Sequence, residues 1–219
     1  MTSDSWPAAF TAQVVRSMRE ARKAAGLTMA AVAEGCAERG LPDITDQTIK
    51  NLESGRRTSI TLTDFLVLAD VLGAPAISLL FPLGTAETVE QLPGQSVSTW
   101  DALAQFTGET PTADPAPPGS AREVLDTFRA HADLVAAARA SAALATDRRR
   151  AASTTPAPDR RAALLELAAG YEEYADADRK ELASFRERMR ERGLVPPALP
   201  GDLAVVDQAE DEAHVEDRE

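Results

Sequence analysis

The chain has 219 residues, room for one or two domains, and its 44% apolar content can build a core. Aromatics are only 5% and alanine is abundant, a balance that favours helix over sheet. No basic flank precedes an apolar run at the start and no stretch approaches a membrane-spanning length, so neither a signal peptide nor a membrane span is expected. One cysteine, Cys36, excludes an internal disulfide framework and fits a reducing compartment, which makes the cytoplasm the expected location. The net charge of −12 excludes a uniformly basic nucleic-acid binder, but it is uneven: −1 over residues 1–83, −5 over 84–120, +1 over 121–195 and −7 over 196–219. A basic face in the first region therefore needs local clustering.

In chain order, Val14, Met18, Ala21 and Ala25 recur at helical spacing over residues 10–25, and Gly26 supplies a stop. Thr28 is placed to cap a second helix with Val32, Ala33 and Cys36 on its apolar face. The cluster Gly40-Leu41-Pro42-Asp43 reads as a turn, with the second helix running to about Arg39. Thr45 caps a third helix that carries Ile49 and Leu52 and closes at Gly55. Thr61 and Asp64 resemble a capping box with Asp in place of Glu. The fourth helix carries Phe65, Leu68, Ala69 and Leu72, and a short fifth spans residues 75–80. Small Ala33 suits a close approach of the second and third helices.

Residues 84–120 read as a Pro-, Gly-, Thr- and Ser-rich linker. Within it, residues 98–106 form an amphipathic segment with Trp100 and Leu103 on one face, expected to dock, and residues 87–92 a short strand. Two longer helices follow, separated by Pro156 and Pro158. Their expected stripes are Leu125, Phe128, Ala132, Val135, Ala138 and Ala142, then Leu164, Leu167, Tyr171, Tyr174, Leu182, Phe185 and Met189. Asp178 interrupts a seven-residue series, which suits a helical hairpin or short bundle better than a long coiled coil. Residues 196–219 read as a disordered acidic tail. The expected class is all-α: a five-helix domain over residues 8–83, a linker over 84–120, a helical dimerisation or sensing region over 121–195, and the tail.

Two short helices, a turn and a third helix ending in Glu53-Ser54-Gly55 form a supersecondary signature. With Ile49 and Leu52 facing inward, Asp46, Gln47, Lys50 and Asn51 occupy the outer face. Gln and Asn amides can pair bidentately with adenine, and Asp can accept from cytosine N4. Asp46 equally suits the positive end of the helix dipole. Arg56, Arg57, Thr58 and Ser59 follow where cations and hydroxyls hold phosphates, with Thr45 at the helix start.

The segments 18–28 (MREARKAAGLT), 48–57 (TIKNLESGRR) and 68–73 (LADVLG), with Ile77, Leu79, Leu80 and Phe81, resemble the Cro/cI-type (XRE) helix-turn-helix family over residues 14–82, about a third of the chain. The long turn is like that of actinobacterial variants. The resemblance implies a lambda-repressor-like fold, a dimeric transcriptional regulator or repressor, and double-stranded DNA as partner. It places Asp46, Gln47 and Asn51 at base-reading positions and Thr28, Arg56 and Arg57 on the backbone. It also implies an ion pair between Arg22 and Glu53. Met29 stands where the family often has a phosphate-contacting Gln.

Other features point to bland roles. Cys36 on an apolar face reads as a buried thiol. His131 and His214 lack ligand spacing, so neither metal nor cofactor is expected. Arg148-Arg149-Arg150 fits neutralisation of a helix C-terminus. No nucleophile motif or phosphate loop appears, so no enzyme is expected. The expected assembly is a homodimer through residues 121–195 on an inverted-repeat operator, with an effector, small molecule or protein, left open. The competing expectation is a protein-interaction module, an antitoxin or adaptor, with weak direct DNA affinity.

Overall fold

The computed structural model describes residues 5–110 and 114–207, which divide into two compact units, one on either side of residue 113. Both are dominated by helix, as composition requires. The first unit contains α1 (Trp6–Ala24), α2 (Met29–Glu38), α3 (Asp46–Glu53), α4 (Leu62–Val71), α5 (Ala76–Leu80), β1 (Thr88–Leu92), β2 (Gln95–Ser98) and α6 (Thr99–Thr107). The expected caps form: Thr28, Thr45 and Thr61 each accept a hydrogen bond from the backbone N–H three residues on. Val14, Met18, Val32, Cys36, Ile49, Leu52, Phe65, Leu68, Ala69 and Leu72 share one core.

The long turn between α2 and α3 has a physical reason. Gly40 takes a positive φ of 84°, and the Leu41 N–H reaches back to the Cys36 carbonyl at 2.9 Å, closing α2 in a Schellman motif. The extra residues then carry Ile44 into the core, where it is 4% exposed. A close helix approach that the sequence did not mark lies at Gly35. A Cβ on Gly35 would lie 2.9 Å from Val71 Cγ1, a tight contact of α2 with α4, while Ala33 packs half-buried against the same core.

The linker expectation is corrected over residues 88–107. β1 and β2 pair antiparallel, Val89 opposite Val97. Val89 and Ala102 bury with Phe81, against Phe10, Ile77 and Leu103. Trp6 Nε1 donates to the Glu90 carbonyl at 3.0 Å, which ties the hairpin to the first turn of α1. The α6 segment does dock, but through Ala102 and Leu103. Trp100 is 65% exposed. Polar residues around Val89 and Val97 disguised a hairpin with few apolar positions.

The second unit is a helical hairpin, α7 (Ala121–Thr154) and α8 (Pro158–Glu191). Arg149 meets Glu172, Ser141 meets Asp178 and Glu123 meets Arg192, an antiparallel register. The buried seam keeps Ala138, Leu182 and Met189 of the expected stripes but not their other residues. It repeats every seven residues through His131, Ala138, Ala145 and Ala152 on α7 and Ala168, Ala175, Leu182 and Met189 on α8. Alanines let the helices approach closely, so the larger Leu167 and Tyr174 turn outward, 52% and 65% exposed. Asp178 fits because Ser141 donates to it at 2.6 Å.

The tail expectation is also corrected, as far as residue 207. Leu203 and Val206 pack on Ala138 and Leu182, and Asp207 receives both arms of buried Arg186 at 2.9 and 2.8 Å. Arg186 also lies 2.8 Å from His131 Nε2. A guanidinium only donates, so Nε2 accepts and the imidazole is neutral. Burial, and then the Arg186 charge, hold the His131 pKa below its ordinary value. Burial pushes the Asp207 carboxyl upward, but hydrogen bonds and charge from Arg186 and Arg190 outweigh that and lower it. The rest of the tail, with His214, lies outside the described residues.

Candidate nucleic-acid interface

Eight residues make α3, and its orientation is fixed from beneath. Ile49 and Leu52 are 5% and 6% exposed. At its C-terminal end, Glu53 accepts two hydrogen bonds from Arg22 of α1, at 2.7 and 2.9 Å. Arg22 also donates to the Leu27 carbonyl at 2.8 Å, so one guanidinium ties α1, its C-terminal turn and α3 together. The hydrogen bond to Glu53 raises the Arg22 pKa against the opposing effect of burial.

With that face committed, Asp46, Gln47 and Lys50 are exposed and Asn51 is half-buried on the other. These four residues come together on one helix face, the side chains singled out from sequence. Gln47 Nε2 donates to Asn51 Oδ1 at 2.9 Å. An amide has two donors and a carbonyl, so the pair retains the Gln47 carbonyl and the Asn51 amino group for other partners. Asp46 accepts from the Gln47 backbone N–H at 2.8 Å, which commits one of its oxygens to the helix start.

The loop after α3 folds back on it. The Arg57 N–H bonds to the Asn51 carbonyl at 3.0 Å. The side chains of Arg56 and Arg57 then diverge in role. Arg56 is exposed and has no ion-pair partner among the described residues. Arg57 donates to the Ser59 carbonyl at 3.0 Å and to Asp64 at 2.9 Å. Asp64 is too short to complete a capping box and braces the loop through Arg57 instead. Thr58 and Ser59 are exposed in the same loop. Thr28 stands apart at the first turn of α2, and Thr45 at that of α3; both hydroxyls accept from their helices, and Thr45 donates its proton to Thr48 Oγ1 at 3.1 Å, because Thr48 donates its own to the Asp43 carbonyl.

Sequence reasoning missed an open groove of about 430 Å³ between α1 and the loop after α3, lined by Arg16, Arg19, Glu53, Arg57 and Thr58 among others. Arg16 and Arg19 lie three apart on α1, spacing that marks a shared helix face, but nothing in sequence showed which face meets the loop. Among the described residues no group of His, Cys, Asp and Glu could hold a metal ion, and no helix is long and apolar enough to cross a membrane.

A family model described as a helix-turn-helix domain matches residues 13–79. The match spans the core of α1 through Leu79 of α5 and contains every interface residue named above. Neither the curated proteins nor the solved structures gave a match. Residues 13–79 are therefore a helix-turn-helix domain, the DNA-binding class of fold, on geometry and family match together.

Proposed function

We propose that the chain is a sequence-specific regulator of transcription that binds an inverted-repeat operator as a homodimer and acts as a repressor, in the manner of the Cro/cI-type family. The observation that carries this reading is the coupled Gln47–Asn51 amide pair on the exposed face of α3. Adenine offers an N6 donor and an N7 acceptor in the major groove. The Gln47 carbonyl and the Asn51 amino group are the matching acceptor and donor, already oriented by their own hydrogen bond. Lys50 beside them suits guanine O6 and N7. The Arg22–Glu53 pair, with both carboxylate oxygens engaged, is the tie that the Cro/cI-type resemblance implies, and it supports that finer reading.

Phosphate contacts position the helix and carry no sequence information. Arg56, Thr58 and Ser59, with the capping hydroxyls of Thr28 and Thr45, are assigned that role. Arg57 is assigned to holding the loop, because Asp64 and the Ser59 carbonyl already occupy it. Asp46 is assigned chiefly to the helix start. A dimer built on residues 121–195 would set two α3 helices about 34–36 Å apart, one DNA turn.

The near-neutral charge of residues 1–83 favours a second reading, a protein-interaction module with weak DNA affinity. Gel shifts on a selected site separate the two. Gln47→Ala or Asn51→Ala should weaken specific binding by about 1–3 kcal/mol and leave non-specific binding alone. Binding that is insensitive to both changes and to salt between about 50 and 200 mM would reject DNA reading in favour of the interaction module.

A further inference from the structure

The outward face of α8 carries a pattern that nothing among the described residues uses. Opposite the buried Ala168, Ala175 and Leu182 run Arg160, Ala163, Leu167, Gly170, Tyr174, Ala177 and Glu181, spaced alternately three and four residues. Gly170 is half-buried and the other six are exposed. Counted outward from Gly170, the positions lie 3, 7 and 10 residues before it and 4, 7 and 11 after it, so the two arms match to within one residue and carry complementary content. A second copy laid antiparallel across Gly170 would set Arg160 against Glu181, Ala163 against Ala177, Leu167 against Tyr174, and Gly170 against itself. Among the described residues neither Arg160 nor Glu181 has an ion-pair partner.

Gly170 supplies an independent argument. Glycine inside a helix costs about 1 kcal/mol relative to alanine, in a segment otherwise rich in alanine. A Cβ there would meet nothing within 4 Å, so packing inside the chain does not demand glycine. A close crossing with another helix would use it, because a residue without a Cβ lets two backbones approach. Around Gly170 lies an apolar notch of about 400 Å³, walled by Ala163, Leu167, Tyr171 and Tyr174 with Glu166 at its polar rim, shaped to take the partner's Leu167 or Tyr174.

We propose that α8 is the dimer seam: two copies cross antiparallel at Gly170 with a two-fold axis through it, closed at each end by an Arg160–Glu181 pair. The stripe spans about 32 Å at 1.5 Å per residue. Self-complementarity under reversal identifies the occupant as a second copy, since a foreign helix would not require the surface to mirror itself. The inference deepens the dimer reading above and rests on it only for the number of copies.

The test uses the full chain without DNA. Sedimentation should give a dimer. Arg160→Glu and Glu181→Arg should each weaken it about tenfold or more, because each sets like charges together at two symmetry-related ends, and the double swap should restore it. Gly170→Leu should give monomers with unchanged far-UV circular dichroism. Gly170→Cys should oxidise to a covalent dimer far faster than Glu187→Cys, off the stripe, the native Cys36 being buried. A monomeric wild type, or a dimer indifferent to these changes with no preferential cross-link, overturns the proposal. Half-site binding through Gln47 and Asn51, measured separately, reports whether DNA reading survives that outcome.

Discussion

Replacing Glu53 by alanine isolates the tie between α1 and α3. The Glu53 and Arg22 side chains are only 10% and 13% exposed, and Arg22 donates twice to the carboxylate at 2.7 and 2.9 Å. Charge-assisted hydrogen bonds contribute about 1.5–3 kcal/mol each, and removing one partner of a fully buried pair costs roughly 3–5 kcal/mol. Here Arg22 keeps the Leu27 carbonyl and some water reaches the site, which lowers the expected cost of Glu53→Ala to about 2–3 kcal/mol. For a unit of this size that corresponds to a fall in Tm of about 10 °C or more. Urea unfolding followed by tryptophan fluorescence reads the first unit alone, because both tryptophans, Trp6 and Trp100, lie in it. The double variant Arg22→Leu, Glu53→Leu should cost less than Glu53→Ala, since no buried charge is left unpaired and Arg19, which also meets Glu53 at 3.7 Å, is 49% exposed. A cost below about 0.5 kcal/mol, the range of ordinary surface changes, or a double variant worse than the single, would refute the reasoning.

Gly35→Ala should destabilise the first unit by about 1–3 kcal/mol through the 2.9 Å approach to Val71, with partial recovery on adding Val71→Ala; equal or higher stability by urea unfolding would contradict that close contact. Arg56→Ala should weaken binding to all DNA sequences alike and lower the salt slope by about one, whereas Arg57→Ala should act mainly on stability, by loosening its loop from Asp64; fluorescence anisotropy and melting distinguish the two. His131 takes up a proton near pH 6.5 when unfolded and lower when folded. Its contribution is therefore complete above that pH and declines as pH falls below it. The lowered Asp207 carboxyl adds a second loss at still lower pH, from its unfolded value downward. Thermal melts by circular dichroism should show the first decline between pH 7 and 5 in wild type and lose it in His131→Asn.

The five-helix portion was legible because its signals are local and repeated: a threonine cap, an apolar pair such as Ile49 and Leu52, a glycine stop. The outer face of α3 followed from that inner face by elimination. What escaped the sequence depends on partners distant in the chain. Ile44 in a turn looks no different from a surface residue until the core receives it. Val89 and Ala102 give too little periodicity to reveal a hairpin, and Phe81, Phe10 and Ile77, distant in the chain, give them something to pack against. In the second unit, side-chain size misled. The large residues 167 and 174 suggested the inner face, but alanines every seven residues make the closer seam. Asp207 sits in a charged segment, yet Arg186 from α8 makes it part of the fold.

Selection of bound sequences from a random DNA pool, using the full chain, tests the central claim most directly. The account predicts an enriched inverted repeat whose half-sites are centred about 34–36 Å, or 10–10.5 base pairs, apart, with adenine positions that lose their preference in Gln47→Ala and Asn51→Ala. A pool that returns no motif, or a motif unchanged by both substitutions, would contradict it.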